Sequence, residues 1–94
     1  MSSPSLVTML EQPYADSRVD FDSQREALLL GLSSIWPSDY WPSRALDWVE
    51  SGFRIDDEIA EALMGASKRA SYSQAFRHRA FAVVMKWRKL AAGA

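Results

Sequence analysis

Trp36-Pro37-Ser38-Asp39-Tyr40-Trp41-Pro42-Ser43 places two Trp-Pro-Ser units five residues apart near the middle of a 94-residue chain. Proline lacks a backbone N–H and its ring clashes with the preceding turn, so neither Pro37 nor Pro42 suits a helix interior. Pro37 stops any helix that reaches it. Pro42 fits the first turn of the next one, where a missing N–H costs nothing, with Ser38, Asp39 or Trp41 at the N-cap. The stretch therefore reads as a corner between two helices and a pin for the core. Tyr40 and Trp41 are the two residues this reading leaves without a structural task, and either becomes a contact residue if exposed.

Before the corner, Ser23 and Glu26 form an S-x-x-E capping box, with Asp20 and Asp22 adding negative charge at the helix N-terminus. Leu28, Leu29, Leu32, Ile35 and Trp36 then recur at helical spacing and predict a helix to about Ile35. Gly31 inside it costs about 1 kcal/mol relative to Ala and marks a point where a neighbouring helix can come close. Upstream, Ser3-Pro4 reads as the start of a short helix carrying Leu6, Val7, Met9 and Leu10, closed before Pro13. Residues 1–20 are expected to form a loosely docked N-terminal helix and linker.

After the corner, Leu46, Trp48 and Val49 predict a helix that ends at Gly52, a left-handed position just past the C-cap, with Arg44 able to pair with Asp47 or Glu50. Asp56-Asp57-Glu58 opens the next helix with three carboxylates where the helix dipole favours them. Its stripe is Ile59, Leu63, Ala66 and Ala70, and Lys68 and Arg69 fall near its end. Ser71 or Ser73 caps the last and longest helix, running to about Leu90, with residues 91–94 a frayed tail. On it Phe76, Ala80, Val83, Trp87 and Leu90 lie within about 40° of one direction.

No segment alternates apolar and polar residues as a strand would. The expected fold is all-α, a compact bundle of four to five short helices in a single domain spanning residues 1–94. Its core is expected to include Leu28, Leu32, Ile35, Leu46, Val49, Ile59, Leu63, Phe76, Ala80, Val83 and Trp87.

Composition excludes several classes of chemistry. AVILMFWYC residues make up 48%, too apolar for a disordered chain. With no cysteine, disulfides, thiolate nucleophiles and zinc–thiolate sites are ruled out. No apolar run is long enough to span a bilayer and no signal peptide is evident, so a cytoplasmic location is expected. His78 is the lone histidine and has no evident partner nucleophile, which argues against triad chemistry and a histidine-based metal site. Asp56, Asp57, Glu58 and Glu61 diverge around a helix start and lack the alternate spacing of a calcium loop. Gly31, Gly52, Gly65 and Gly93 are scattered and make no phosphate loop. The expectation is a non-enzyme with no cofactor and no metal.

Charge is segregated. All 12 acidic residues lie at or before Glu61, against four arginines there, giving a net of −8. The remaining residues carry Lys68, Arg69, Arg77, Arg79, Lys86, Arg88 and Lys89, a net of +7. Either the basic helix packs beside acidic ones, or it offers a cationic surface to a partner.

Phe81 and Met85 lie opposite the main stripe of the last helix, beside His78 and Lys89, with Arg77 and Arg88 flanking. Aromatics, methionine and arginine are the types enriched at protein interfaces. The expected function is a protein–protein interaction module that binds and inhibits or regulates a larger macromolecule, using Tyr40, Trp41, Arg77, His78, Phe81, Met85, Arg88 and Lys89. The alternative is a nucleic-acid-binding regulator using Arg77, Arg79, Lys86, Arg88 and Lys89, and a homodimer through the last helix is a third option. In size and composition, though in no motif, the chain resembles small helical bacterial or phage binders such as immunity proteins, inhibitors and adaptors.

Overall fold

A computed structural model describes residues 6–93. Helices make up 69% of the fold, in a single compact globule, with no strand among the described residues. Two 3-10 helices, Leu6–Glu11 and Tyr14–Asp16, precede four α-helices: α1 Phe21–Gly31, α2 Tyr40–Glu50, α3 Asp57–Ser67 and α4 Gln74–Ala92. The helix start expected at Ser3-Pro4 lies outside the described residues. No helix among them is long and apolar enough to cross a membrane.

The segment after that start is a 3-10 helix rather than an α-helix, and it is firmly seated. Val7 and Leu10 are buried in the core. Trp48 Nε1–H donates to the Gln12 backbone carbonyl at 2.8 Å, and Tyr14 packs on the rings of Trp48 and Phe53 at 5.4 and 5.6 Å. Trp48 is thus completely enclosed with its one polar atom satisfied, the arrangement a buried indole needs.

α1 begins and ends earlier than expected. Asp20, not Ser23, is the N-cap: its carboxylate accepts from the Ser23 backbone N–H and hydroxyl, both at 3.0 Å. Asp and Ser are near-equal caps, and starting at Asp20 lets Phe21 stack on Phe53 at 5.4 Å and buries Gln24 against Ser17. The helix stops at Gly31, where a Cβ would come within 2.6 Å of Leu10 Cδ1 and 3.3 Å of Ala45 Cβ and the Trp41 carbonyl. The chain must turn where these neighbours close in. Ile35 therefore falls in the corner, 66% exposed, and not in the core. Trp36 also leaves the helix, but its indole N–H returns to the Leu30 carbonyl at 2.8 Å, where it joins the Ser33 backbone N–H at 3.1 Å.

The corner itself starts α2. Pro42 is the third helical residue, fully buried, where no intrahelical acceptor waits for an N–H. At the other end Gly52 takes φ 115°, as expected. Phe53 N–H bonds the Trp48 carbonyl and Gly52 N–H the Val49 carbonyl, both at 3.1 Å, which is a Schellman motif. Its apolar contact is Phe53 on Trp48.

Asp56 caps α3 by accepting from Ile59 N–H at 2.9 Å, and its other oxygen takes Arg25 Nε at 2.7 Å. Arg25 also reaches Glu58 at 2.7 Å, so one guanidinium ties α1 to the start of α3. α3 ends at Ser67, before Lys68 and Arg69, and Ala70 is exposed instead of lining its stripe. Arg69 lies over the buried Tyr72 ring at 5.1 Å.

Ser73 caps α4, its hydroxyl accepting from Phe76 N–H at 3.2 Å. α4 runs along α3 and touches α2, while α1 packs on the first 3-10 helix and α2. Phe76, Ala80 and Val84 form α4's buried line. Val83 and Trp87, expected in the core, are only half-buried, and Val84 takes the buried place beside them. The Cα envelope measures 47 × 31 × 19 Å, about two helix diameters thick at its thinnest.

Candidate docking faces of the last helix

α4 has 19 residues against 11 in each of α2 and α3. At 1.5 Å per residue it is about 12 Å longer than either neighbour. A helix that long in so thin a fold has faces no other helix covers.

One flank is electrically closed. Arg79 reaches Asp47 at 2.8 Å and also pairs with Glu50, both on α2. These carboxylates hold its guanidinium even more firmly protonated, Glu50 foremost. Arg79 is thus the point where the basic segment meets the acidic one. Among the described residues no other cation after Glu61 is ion-paired: Lys68, Arg69, Arg77, Lys86, Arg88 and Lys89 have no carboxylate within 4.0 Å. Direct ion pairing therefore joins the two charge segments at Arg79 alone among the described residues.

The outer face of α4 gathers the expected residues. At 100° per residue, Arg77, Arg88, Phe81, Met85, His78 and Lys89 fall in a strip about 120° wide. Phe81 is 49% exposed and heads the face. Met85 is half-buried, its thioether packed against the core edge. Arg77 is also half-buried, with Nε covered and without a hydrogen-bond partner. His78, Arg88 and Lys89 are exposed. The strip is an apolar ridge rimmed by cations, with no carboxylate on α4 to oppose them.

A separate groove lies on another side of the same helix. Val49 and Glu50 of α2, Ile55 of the connector, and Val83, Lys86, Trp87 and Leu90 of α4 enclose about 410 Å³. Leu90 is 66% exposed at its lip. Sequence periodicity put Val83 and Trp87 in the core, so this groove was not foreseen. The available signal was length: the stripe on α4 continues past the last turn of α2.

Tyr40 and Trp41 do not join the ridge. Tyr40 is 43% exposed, but its hydroxyl donates to Glu11, its ring meets Trp41 edge-on at 4.9 Å, and Arg44 sits over it at 5.4 Å. Arg44 thus takes the ring in place of Asp47 or Glu50. Trp41 is half-buried against Trp36, centroids 6.1 Å apart. Tyr40 thus ties the corner to the N-terminal segment, and Trp41 packs between the corner's own Trp36 and Tyr40. Asp39 is the corner's link to α4: Oδ2 accepts from the Ser73 backbone N–H at 2.9 Å. The Ser73 hydroxyl and backbone N–H hold the Asp39 carboxyl below the usual carboxylate range.

No group of three or more His, Asp or Glu side chains is placed to hold a metal among the described residues. No protein-family model, curated protein or solved structure matches the chain.

Proposed function

We propose that this chain is a non-enzymatic protein-interaction module that binds a larger macromolecule, and inhibits or regulates it, through the outer face of α4. The observation that carries this reading is Phe81, half-exposed on a rigid helix, beside Met85 and ringed by Arg77, His78, Arg88 and Lys89. A large aromatic left in water forfeits burial that a partner would recover, and arginines around an apolar anchor are the usual make-up of a binding hot spot. Unpaired cations at the rim favour a partner with an acidic surface and speed its approach. Tyr40, 43% exposed although its hydroxyl donates to Glu11, stays a candidate contact at the corner, apart from the ridge, whereas Trp41 packs half-buried against Trp36 and Tyr40.

The test places a photo-crosslinking residue at Phe81 and at the solvent-facing Glu26 of α1, in cells of the source organism. The expected result is one protein cross-linked from position 81 and not from position 26, through a segment rich in carboxylates. Cross-links to nucleic acid from position 81, lost on raising salt, would transfer the face to the nucleic-acid reading. Identical products from the two positions would remove the assignment altogether.

A further inference from the structure

The groove beside Trp87 is independent of the Phe81 ridge, and its chemistry is different. Five of its lining residues are apolar: Val49, Ile55, Val83, Trp87 and Leu90. The other two are one carboxylate, Glu50, and one ammonium, Lys86. Glu50 shares Arg79 with Asp47, which leaves acceptor capacity on its oxygens, and its side chain is 39% exposed. Lys86 is exposed and has no carboxylate within 4.0 Å among the described residues.

A two-fold interface is built from the same patch on both partners, so residue i of one meets residue j of the other, and j meets i. An apolar strip bearing one positive and one negative group meets that condition. A two-fold arrangement that set Lys86 of each copy opposite Glu50 of the other would let Trp87 and Leu90 cover the two grooves. The Phe81 ridge fails the same condition. Two copies placed ridge to ridge would bring Arg77, Arg88 and Lys89 against their own like charges. Of the two uncovered faces of α4, only the groove is complementary to itself.

We infer that the groove is a homodimer interface, occupied by the α4 C-terminal half of a second copy of this chain, with reciprocal Lys86–Glu50 pairs at its edges. The dimer leaves the Phe81 ridge open on both copies, so it stands whether or not that ridge binds a partner.

Charge exchange tests this on the full chain by sedimentation equilibrium over a dilution series. Wild type is expected to approach twice the chain mass at high concentration. Lys86→Glu alone and Glu50→Lys alone each set like charges opposite one another twice, and each is expected to sediment as a monomer. Mixed in equal amounts they restore both pairs, and the expected result is a heterodimer. Because Glu50→Lys also removes a partner of Arg79, helicity is checked by circular dichroism. Leu90→Glu, at a side chain with little buried area to lose, gives a second disruption that leaves the fold intact. A wild type that stays monomeric throughout overturns the inference. So does a dimer that survives Leu90→Glu, or one that forms equally in the single charge variants.

Discussion

Asp39 Oδ2 accepts a hydrogen bond from the Ser73 backbone N–H at 2.9 Å, across 34 residues of chain. Ser73 in turn caps α4 through its hydroxyl. The corner that separates α1 from α2 thereby also bonds the start of α4, and beside it Tyr72, packed edge-on against Phe76 at 5.6 Å, is the buried anchor of the turn between α3 and α4. The contact thus ties the corner to the start of the helix that carries both uncovered faces.

Removing that contact should loosen α4 without unfolding the core. Asp39→Ala deletes a charged acceptor from a backbone donor at a helix start, a loss of about 1 kcal/mol. For a domain of this size the thermal midpoint should fall by roughly 4–8 °C. Amide exchange should accelerate most in the first turn of α4. Exchange that quickens equally in α1 and α4 would mean that the contact is not local to the corner.

Acid should weaken the fold through three aspartates. Ser73 holds the Asp39 carboxyl low, Arg25 does so for Asp56, and the Ser23 backbone N–H for Asp20. Each carboxyl binds its proton less readily folded than unfolded. The stability they add is therefore complete above the unfolded value of about 3.9 and is lost as pH falls through the lower folded values. Urea midpoints should be level from about pH 7 to 5 and drop below about pH 4. Arg25→Gln, which removes the main cause at Asp56, should flatten that drop, whereas an unchanged slope would exclude the Arg25–Asp56 pair as a contributor.

Two glycines should respond to alanine with opposite signs. Gly31→Ala gains about 1 kcal/mol of helix propensity, but its Cβ meets Leu10 Cδ1 at 2.6 Å inside a packed core. Overpacking costs about 1–3 kcal/mol, so the variant should be the less stable protein. At Gly65, on the exposed side of α3, a Cβ would meet nothing within 4 Å. Gly65→Ala should raise stability by about 0.5–1 kcal/mol. Denaturant titration decides both, and equal gains would mean that α1 and the first 3-10 helix are not in close contact.

Leu32 and Ile35 are separated by less than a turn of sequence and by the edge of the core. Leu32 is buried and Ile35 is 66% exposed. Leu32→Ala should cost about 2–5 kcal/mol and Ile35→Ala no more than about 0.5 kcal/mol. Comparable losses at the two positions would restore α1 to the length its periodicity suggested.

That pair shows how far local patterning carries. Proline, glycine and cap chemistry located the corner, Gly52 and the start of α4, because each acts through backbone geometry that a few residues decide. The end of α1 was illegible because it depends on Leu10 and Ala45 closing around Gly31, contacts made across the chain. The Ser23 capping box was misread by one cap because Asp20 offers an equal ligand three residues earlier. On α4, periodicity grouped Phe81 with Met85 and Arg88 correctly, since a helix face follows from spacing alone. It could not tell Val83 and Trp87 from true core residues, because their half-exposure follows from the open groove between α2 and α4, which only the placement of the helices reveals. The pairing of Arg79 with Asp47 and Glu50, and the lack of such partners for its neighbours, is likewise a matter of helix placement.

The central claim is that α4 presents a finished docking face at Phe81, not a fragment of unfinished core. Proteins captured from the source organism by wild type, and by a Phe81→Asp, Arg88→Glu double variant, test it most directly. Both altered side chains are exposed, so the two proteins should melt within a few degrees of each other, as surface changes of about 0.5 kcal/mol imply. The account predicts a protein retained by wild type and lost by the variant at matched stability. The same proteins retained by both would contradict it.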